Sequence, residues 1–247
     1  MSTKAPLSPA AEETAEVKSS QWKDIAYRLR QNRAAMFGLA ILILLVLCAV
    51  FADVLAPYGY DDQDLSRRFI SPCREFPFGT DNFGRDILSR IIYGSRISLQ
   101  VGLISVAIST VCGVILGAVA GYYGKVLDNV IMRIVDVMLA IPSILLAISI
   151  AAALGPGLRN VMIAISIGPI PSFARIVRAS VLTIKEQEFI EAARAVGAGD
   201  GRILRKHILP NCMATIIVQA TLGVASAILS TSGLSFIGLG ISPPTPE

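Results

Sequence analysis

Long stretches without a charged side chain govern what this chain can fold into. None occurs between Arg33 and Asp53, between Arg96 and Lys125, or between Asp136 and Arg159, and past Lys206 only His207 could carry charge before Glu247. A soluble helix interrupts its apolar face with charge every turn or so, whereas a helix crossing about 30 Å of hydrocarbon needs roughly 20 apolar residues. The 247-residue chain is 53% hydrophobic and only 16% charged, with a mean hydropathy of +0.64, more apolar surface than one soluble core of this length uses. An all-α integral membrane protein follows, with five spans at about residues 36–56, 97–120, 137–154, 160–176 and 211–231. The fourth is short and contains Gly168, Pro169 and Pro171, which predicts a tilted or kinked helix with Arg159 or Arg175 reaching the interface at one end. The string GLSFIGLGISPPTP after the fifth is too rich in Gly and Pro for a straight helix and is expected to be irregular or re-entrant.

Basic residues set the orientation. Lys18, Lys23, Arg28, Arg30 and Arg33 precede the first span, and Asp53, Asp61, Asp62 and Asp64 follow it. Residues 1–35 are therefore expected as a polar cytoplasmic tail, 36–247 as the membrane domain, and 57–96 as an outer loop. Four spans return the chain to the inner side, and the segment there, residues 177–210, is rich in Lys and Arg, so parity and charge agree. The polar lead before the first apolar run is too long for the n-region of a secretory signal, so that run reads as an uncleaved anchor. These inner segments account for the net charge of +4 and the pI of about 9.0, which leaves nucleic-acid binding without support.

The chemistry-bearing residues exclude most enzymes. Cys48 and Cys112 fall within spans, Cys212 starts another, and only Cys73 lies in the outer loop, so neither a disulfide framework nor metal-ligand spacing is present. A lone His207 builds no metal site and has no nucleophile singled out beside it. The sequence has no G-x-x-x-x-G-K-[ST] phosphate loop; GYYGK, ending at Lys125, lacks both the spacing and the hydroxyl. No catalytic site, no metal and no directly bound cofactor is expected, and any ATP must be hydrolysed by partner subunits. A passive channel would need a ring of carbonyls or charges near the midplane, and no such string appears in the spans.

Four features remain. In the inner segment KEQEFIEAARAVGAGDGRILRKHILPN, strong helix formers over residues 186–196 put Phe189, Ala192, Ala193 and Val196 on one face, and Gly197 is placed to stop the helix. A second short helix is expected over residues 201–209, before Pro210 starts the return to the membrane. The residues alone leave open whether this pair is a docking arm or an ordinary basic loop held by lipid headgroups. In the outer run FGTDNFGRDILSRIIYGSRISL, the turn formers Gly79, Asp81, Gly84, Arg85 and Asp86 precede an amphipathic stretch. Gly113, Gly117 and Gly121, four apart, permit close helix approach, within the chain or between subunits. In MRIVDVMLAIPSILLAI, Pro142 could mark a moving element, while Asp136 is explained as an interfacial residue at a helix start.

The string Glu191-Ala192-Ala193, then Gly197, then Leu209-Pro210 resembles the EAA loop of binding-protein-dependent ABC importer permeases, and His207 in place of the usual Ile resembles the peptide-importer branch. The run Gly79-Thr80-Asp81, two residues, Gly84-Arg85-Asp86 resembles the C-type permease of dipeptide and oligopeptide importers in particular. The resemblance runs from about Met36 to Pro246 and implies a type I ABC importer permease fold with six spanning helices, the last one past Glu247. It implies that residues 191–210 form a coupling loop docked in an ATPase subunit. The expected partners are a second related permease, two cytoplasmic ABC ATPases and an extracytoplasmic binding protein, all in or at a bacterial inner membrane. Cargo is expected to be dipeptides or oligopeptides; nickel complexes, glutathione and haem are carried by look-alike systems.

Overall fold

The computed structural model describes Tyr27 and residues 29–246, so most of the tail expected over residues 1–35, and with it most of its basic residues, lies outside the described part. The chain divides into two compact units, Met1–Leu47 and Cys48–Glu247. Helix α1, Arg33–Val50, starts in the first and ends three residues into the second, and its start is capped by the Asn32 side chain accepting from the Ala35 N–H at 3.1 Å. Its large side chains, Phe37, Ile41, Leu42 and Leu44 among them, stand exposed along the helix.

The second unit runs α2 (Ala52–Leu55), a 3₁₀ turn (Leu65–Arg67), α3 (Ile87–Tyr123), α4 (Lys125–Leu139), α5 (Ser143–Leu154), α6 (Leu158–Ile167), α7 (Ile170–Lys185), α8 (Glu188–Ala195), α9 (Asp200–Ile203), a π turn (Leu204–Ile208) and α10 (Leu209–Phe236). No strand occurs among the described residues, only an isolated bridge between Thr80 and Asp86. By length and composition α1, α3 and the continuous helix Asp200–Phe236 are long enough to span a bilayer, and the bent pairs α4–α5 and α6–α7 bring the possible spans to 5.

Several elements differ from the sequence expectation, each for a local reason. Helix α3 starts at Ile87, inside the stretch expected as an outer loop, because Asp86 caps it by accepting from the Ser89 N–H at 2.8 Å and the Ser89 hydroxyl at 2.6 Å. The expected span 137–154 is broken: α4 and α5 meet at 85° where Pro142, lacking an N–H and pressing on the preceding turn, ends the first helix. Asp136 accordingly sits near the end of α4, not at a helix start. The expected kink in the fourth span is a 43° bend at residues 168–169, and α7 continues through Lys185 into the stretch expected as a loop. In place of a separate short helix over 201–209, a single helix runs from Asp200 to Phe236. Pro210 can donate no backbone hydrogen bond; the wider π turn before it sends the Leu209 N–H to the Leu204 carbonyl five residues back, and the Asn211 amide caps the His207 carbonyl at 2.6 Å.

Packing along much of α3 puts small residues inside and large ones outside. Along α3, Ser105, Ser109, Gly113, Gly117, Ala120 and Gly121 are buried while Leu103, Ile104, Ile108, Val111 and Ile115 are exposed. That distribution suits a bilayer, where tails are as apolar as Leu and helices associate through close approach and hydrogen bonds. The Ser105 hydroxyl donates to the Met162 carbonyl at 3.1 Å and the Ser109 hydroxyl to the Ser166 carbonyl at 2.6 Å, joining α3 to α6. The three spaced glycines face α7: a Cβ at Gly113 would lie 2.3 Å from Phe173 Cβ, and one at Gly117 2.4 Å from the Ala174 carbonyl oxygen. Their close approach is thus within the chain.

Candidate functional site

The residues singled out in the sequence gather at two separate places. The first surrounds α8. Its inner side is rooted by Ile190, which is fully buried in a cluster with Tyr122, Val177, Val181, Ile203, Ile208, Cys212 and Ile216 from α3, α7 and the long C-terminal helix. Ala193 turns inward with Ile190 and packs against this cluster, so it does not share one face with Phe189, Ala192 and Val196 as expected. Phe189, Ala192 and Val196 do share a face, and it points away: Phe189 is 44% and Val196 86% exposed. Glu191 is exposed as well.

Helix α8 ends in a Schellman turn. The Ala198 N–H bonds to the Ala193 carbonyl at 3.0 Å and the Gly197 N–H to the Arg194 carbonyl at 2.9 Å, with Gly197 at φ +82°. A Cβ on Gly197 would meet nothing within 4 Å, so the demand there is conformational, worth roughly 1 kcal/mol, and not steric. Polar ties fix the segment to the bundle: the Tyr122 hydroxyl donates to Asp200 at 2.7 Å, Arg194 lies 5.8 Å over the Tyr122 ring, and the Lys185 ammonium donates to the Gly121 carbonyl at 3.0 Å. His207 lies in the π turn, Leu209 packs against the buried cluster, and Pro210 is exposed in the first turn of α10.

The second place is the outer turn. Thr80, Arg85 and Asp86 are buried, and the turn closes on itself through Asp81, which accepts from the Phe83 and Arg85 N–H groups at 2.8 and 3.0 Å and from the Arg85 guanidinium at 2.7 Å. Thr80 ties it to the segment before it, receiving the Ile70 N–H at 2.9 Å and donating to the Arg67 carbonyl at 2.5 Å. Gly79 and Gly84 both take positive φ. Arg90, one turn into α3, donates to the Tyr60 carbonyl at 3.0 Å and the Pro244 carbonyl at 3.2 Å, so the irregular stretch after α10 is held to the outer segment. Burial would raise the Asp81 carboxyl, but the Arg85 and Phe83 amides and the Arg85 guanidinium outweigh it and hold it below its ordinary value of 3.8. Such a group stabilises the turn at and above the ordinary carboxylate range, and the contribution is lost as pH falls through the lowered value. Replacing Asp81 by Asn is expected to cost roughly 1–2 kcal/mol at neutral pH and to speed limited proteolysis of the outer segment there, with the difference from wild type shrinking in strong acid.

Sequence reasoning missed Ile190, Ile203 and Ile208 as the root of α8, and the serine pair of α3, for which the signal was Ser105 and Ser109 four apart in an apolar run. It also missed the salt bridge of Arg178 with Asp128, fifty residues away, which no local pattern announces. Among the described residues no group of acidic, Cys or His side chains is arranged to hold a metal.

Residues 113–247 match the family model for the binding-protein-dependent transport system inner membrane component, and residues 20–72 match the N-terminal TM domain of oligopeptide transport permease C. The chain belongs to this permease family. It is 50% identical over 228 residues to the dipeptide transport system permease protein DppC of Alkalihalophilus pseudofirmus, a match covering 92% of this chain and 75% of that one. It is 45% identical over 232 residues to the di/tripeptide transport system permease protein DppC of Pseudomonas aeruginosa, covering 92% and 75%. It is 45% identical over 227 residues to the glutathione transport system permease protein GsiD of Escherichia coli, again covering 92% and 75%. Among solved structures, an inward-facing form of the MetNI methionine ABC transporter superposes with a TM-score of 0.56 at 24% identity, covering 63% of this chain and 77% of that one. The permease is a multi-pass membrane protein with the type I ABC importer fold.

Proposed function

We propose that this permease passes dipeptides or short oligopeptides into the cytoplasm of a bacterium, driven by ATP that two cytoplasmic ATPase subunits hydrolyse. A second related permease completes the pathway, and an extracytoplasmic binding protein delivers cargo to the side bearing the outer turn. The N-terminus and α8 lie on the cytoplasmic side, and the permease itself binds no nucleotide, cofactor or metal. The names of the dipeptide and di/tripeptide relatives support the cargo, and the glutathione relative supports glutathione as an alternative.

The observation that carries the coupling role is the two-sided character of α8: Ile190 fixed inside the bundle, Phe189, Ala192 and Val196 presented outward. A small apolar face suits a cleft on a partner, and its rigid root lets a push on it reach α7 and α10. Closure of the ATPases then moves α8 as a lever and changes which side of the pathway is open. The test is co-purification of the assembled transporter. Phe189→Asp with Val196→Asp is expected to reduce retained ATPase about tenfold or more, and peptide uptake with it, while the permease still accumulates in the membrane. Full ATPase retention by that variant would reject α8 as the docking element.

A further inference from the structure

Helix α4 buries one side and exposes the other. It meets α5 at 85° across residues 140–142, and its Val126, Val130, Ile134 and Val137, spaced along one stripe, are exposed. Its inner side rests on the end of α3 and on α7, where two ion pairs fasten it. Arg178 grips Asp128 with both arms, Nε to Oδ1 at 2.5 Å and Nη2 to Oδ2 at 2.6 Å, and the two side chains are 33% and 16% exposed. Arg175 reaches Asp136 at 2.6 Å, but both side chains are about half exposed, at 53% and 50%.

The two pairs differ in what they can transmit. An exposed pair is screened and contributes little, whereas a bidentate, largely buried one leaves an uncompensated charge if separated and so resists separation. The donors sit on α7, which runs on through Lys185 into α8 with only two residues between. Pro142 leaves the other end of α4 with a helix break where the chain can turn. A rod gripped at its start by α7 and jointed at its finish will follow α7 and swing about the joint.

We propose that Asp128 and Arg178 are positioning residues for transport: their bidentate bond makes α4 travel with α7, so that displacement of α8 is delivered to α4 as rotation about residues 140–142. This rests on the role of α8 proposed above. The inference assigns the apolar stripe of α4 to a surface that moves during the cycle, and the Asp136–Arg175 pair to a minor part.

The test uses the full assembly with ATPases, second permease and binding protein. Asp128→Asn and Arg178→Gln are each expected to cut peptide taken up per ATP hydrolysed about tenfold, with the ATPases still bound. The exchange Asp128→Arg with Arg178→Asp should restore most of the loss, and Asp136→Asn should change the ratio less than about twofold. In otherwise wild-type protein, spin labels at Val126 and Thr183 should keep one separation with and without ATP, while labels at Val130 and Leu154, across the joint, should shift. Single variants with normal uptake per ATP, an exchange as impaired as the single variants, or a nucleotide-dependent Val126–Thr183 separation would each overturn the proposal. Failure of the α8 reading shows separately, as full ATPase retention in the Phe189 and Val196 variant.

Discussion

Gly117→Leu is expected to reduce folded permease in the membrane by more than tenfold. Helices α3 and α7 touch backbone to backbone at this level: a Cβ on Gly117 would lie 2.4 Å from the Ala174 carbonyl oxygen and 2.9 Å from Val177 Cβ. No rotamer relieves an overlap of Cβ with main chain, so the helices must separate. Separation undoes more than one contact, because Gly113 and Gly121 hold the same seam, and the Ser105 and Ser109 hydroxyls reach α6 from the same helix. In hydrocarbon the lost contacts are not offset by burial elsewhere, since Leu gains nothing on leaving lipid. The cost, roughly 3 kcal/mol or more, should appear as loss of the monodisperse peak when the tagged chain is extracted in mild detergent. Gly233→Leu provides the control: a Cβ there meets nothing within 4 Å, and the peak should be unchanged. A normal peak for Gly117→Leu would mean that the seam is not needed for the fold.

The apolar helices were legible in the sequence because they depend only on where charge is absent, and the charge-free runs coincide with α1, α3, α5, α6 and α10. The bends were less legible. Pro142, Pro169 and Pro210 all sit at or near helix starts, yet the chain turns 85° at the first, 43° at the second and continues through the third. A proline removes one donor and crowds one turn in every case; whether the helix breaks or widens depends on what packs around it. At Pro210 the buried Ile203, Ile208 and Cys212 clamp both sides of the turn to α3, α7 and α8, so the helix absorbs the defect as a π turn. Near Pro142, by contrast, most side chains are exposed and nothing opposes the break.

The candidate sites divide the same way. The outer turn was readable because its residues interact with near neighbours: Asp81 with Phe83 and Arg85, Asp86 with Ser89. Local spacing carries that information directly. On α8 the pattern named the helix and its end but misassigned Ala193, since Phe189, Ala192, Ala193 and Val196 fit one stripe and only the rest of the bundle decides which edge of it is covered. Asp128 with Arg178, fifty apart in the chain, lay beyond any periodicity. The unforeseen contacts are those between helices, and in a membrane these are the contacts that set geometry, because burial of large side chains does not.

Gly84→Val is expected to open the outer turn. Gly84 has φ +74°, a region a β-branched residue enters only under strain, and a Cβ there would fall 1.8 Å from the Asp64 carbonyl oxygen and 2.7 Å from its carbon. The segment beginning at Asp64 would have to move away, and that segment is the one Thr80 holds through Arg67 and Ile70. Strain and displacement together should cost roughly 3 kcal/mol, which raises the population of the open turn about a hundredfold. Arg67, Arg68 and Arg74 are exposed in this stretch and supply the readout: trypsin added to the purified permease should cut there about a hundredfold faster in the variant, in the regime where closing outpaces cleavage. Helix α3 should survive, because its Asp86 cap and its seam with α7 do not pass through Gly84. The variant therefore separates the outer turn from the bundle: if peptide uptake falls while the detergent peak and ATPase retention hold, the turn acts in receiving cargo, and if uptake is unchanged its role is confined to its own stability.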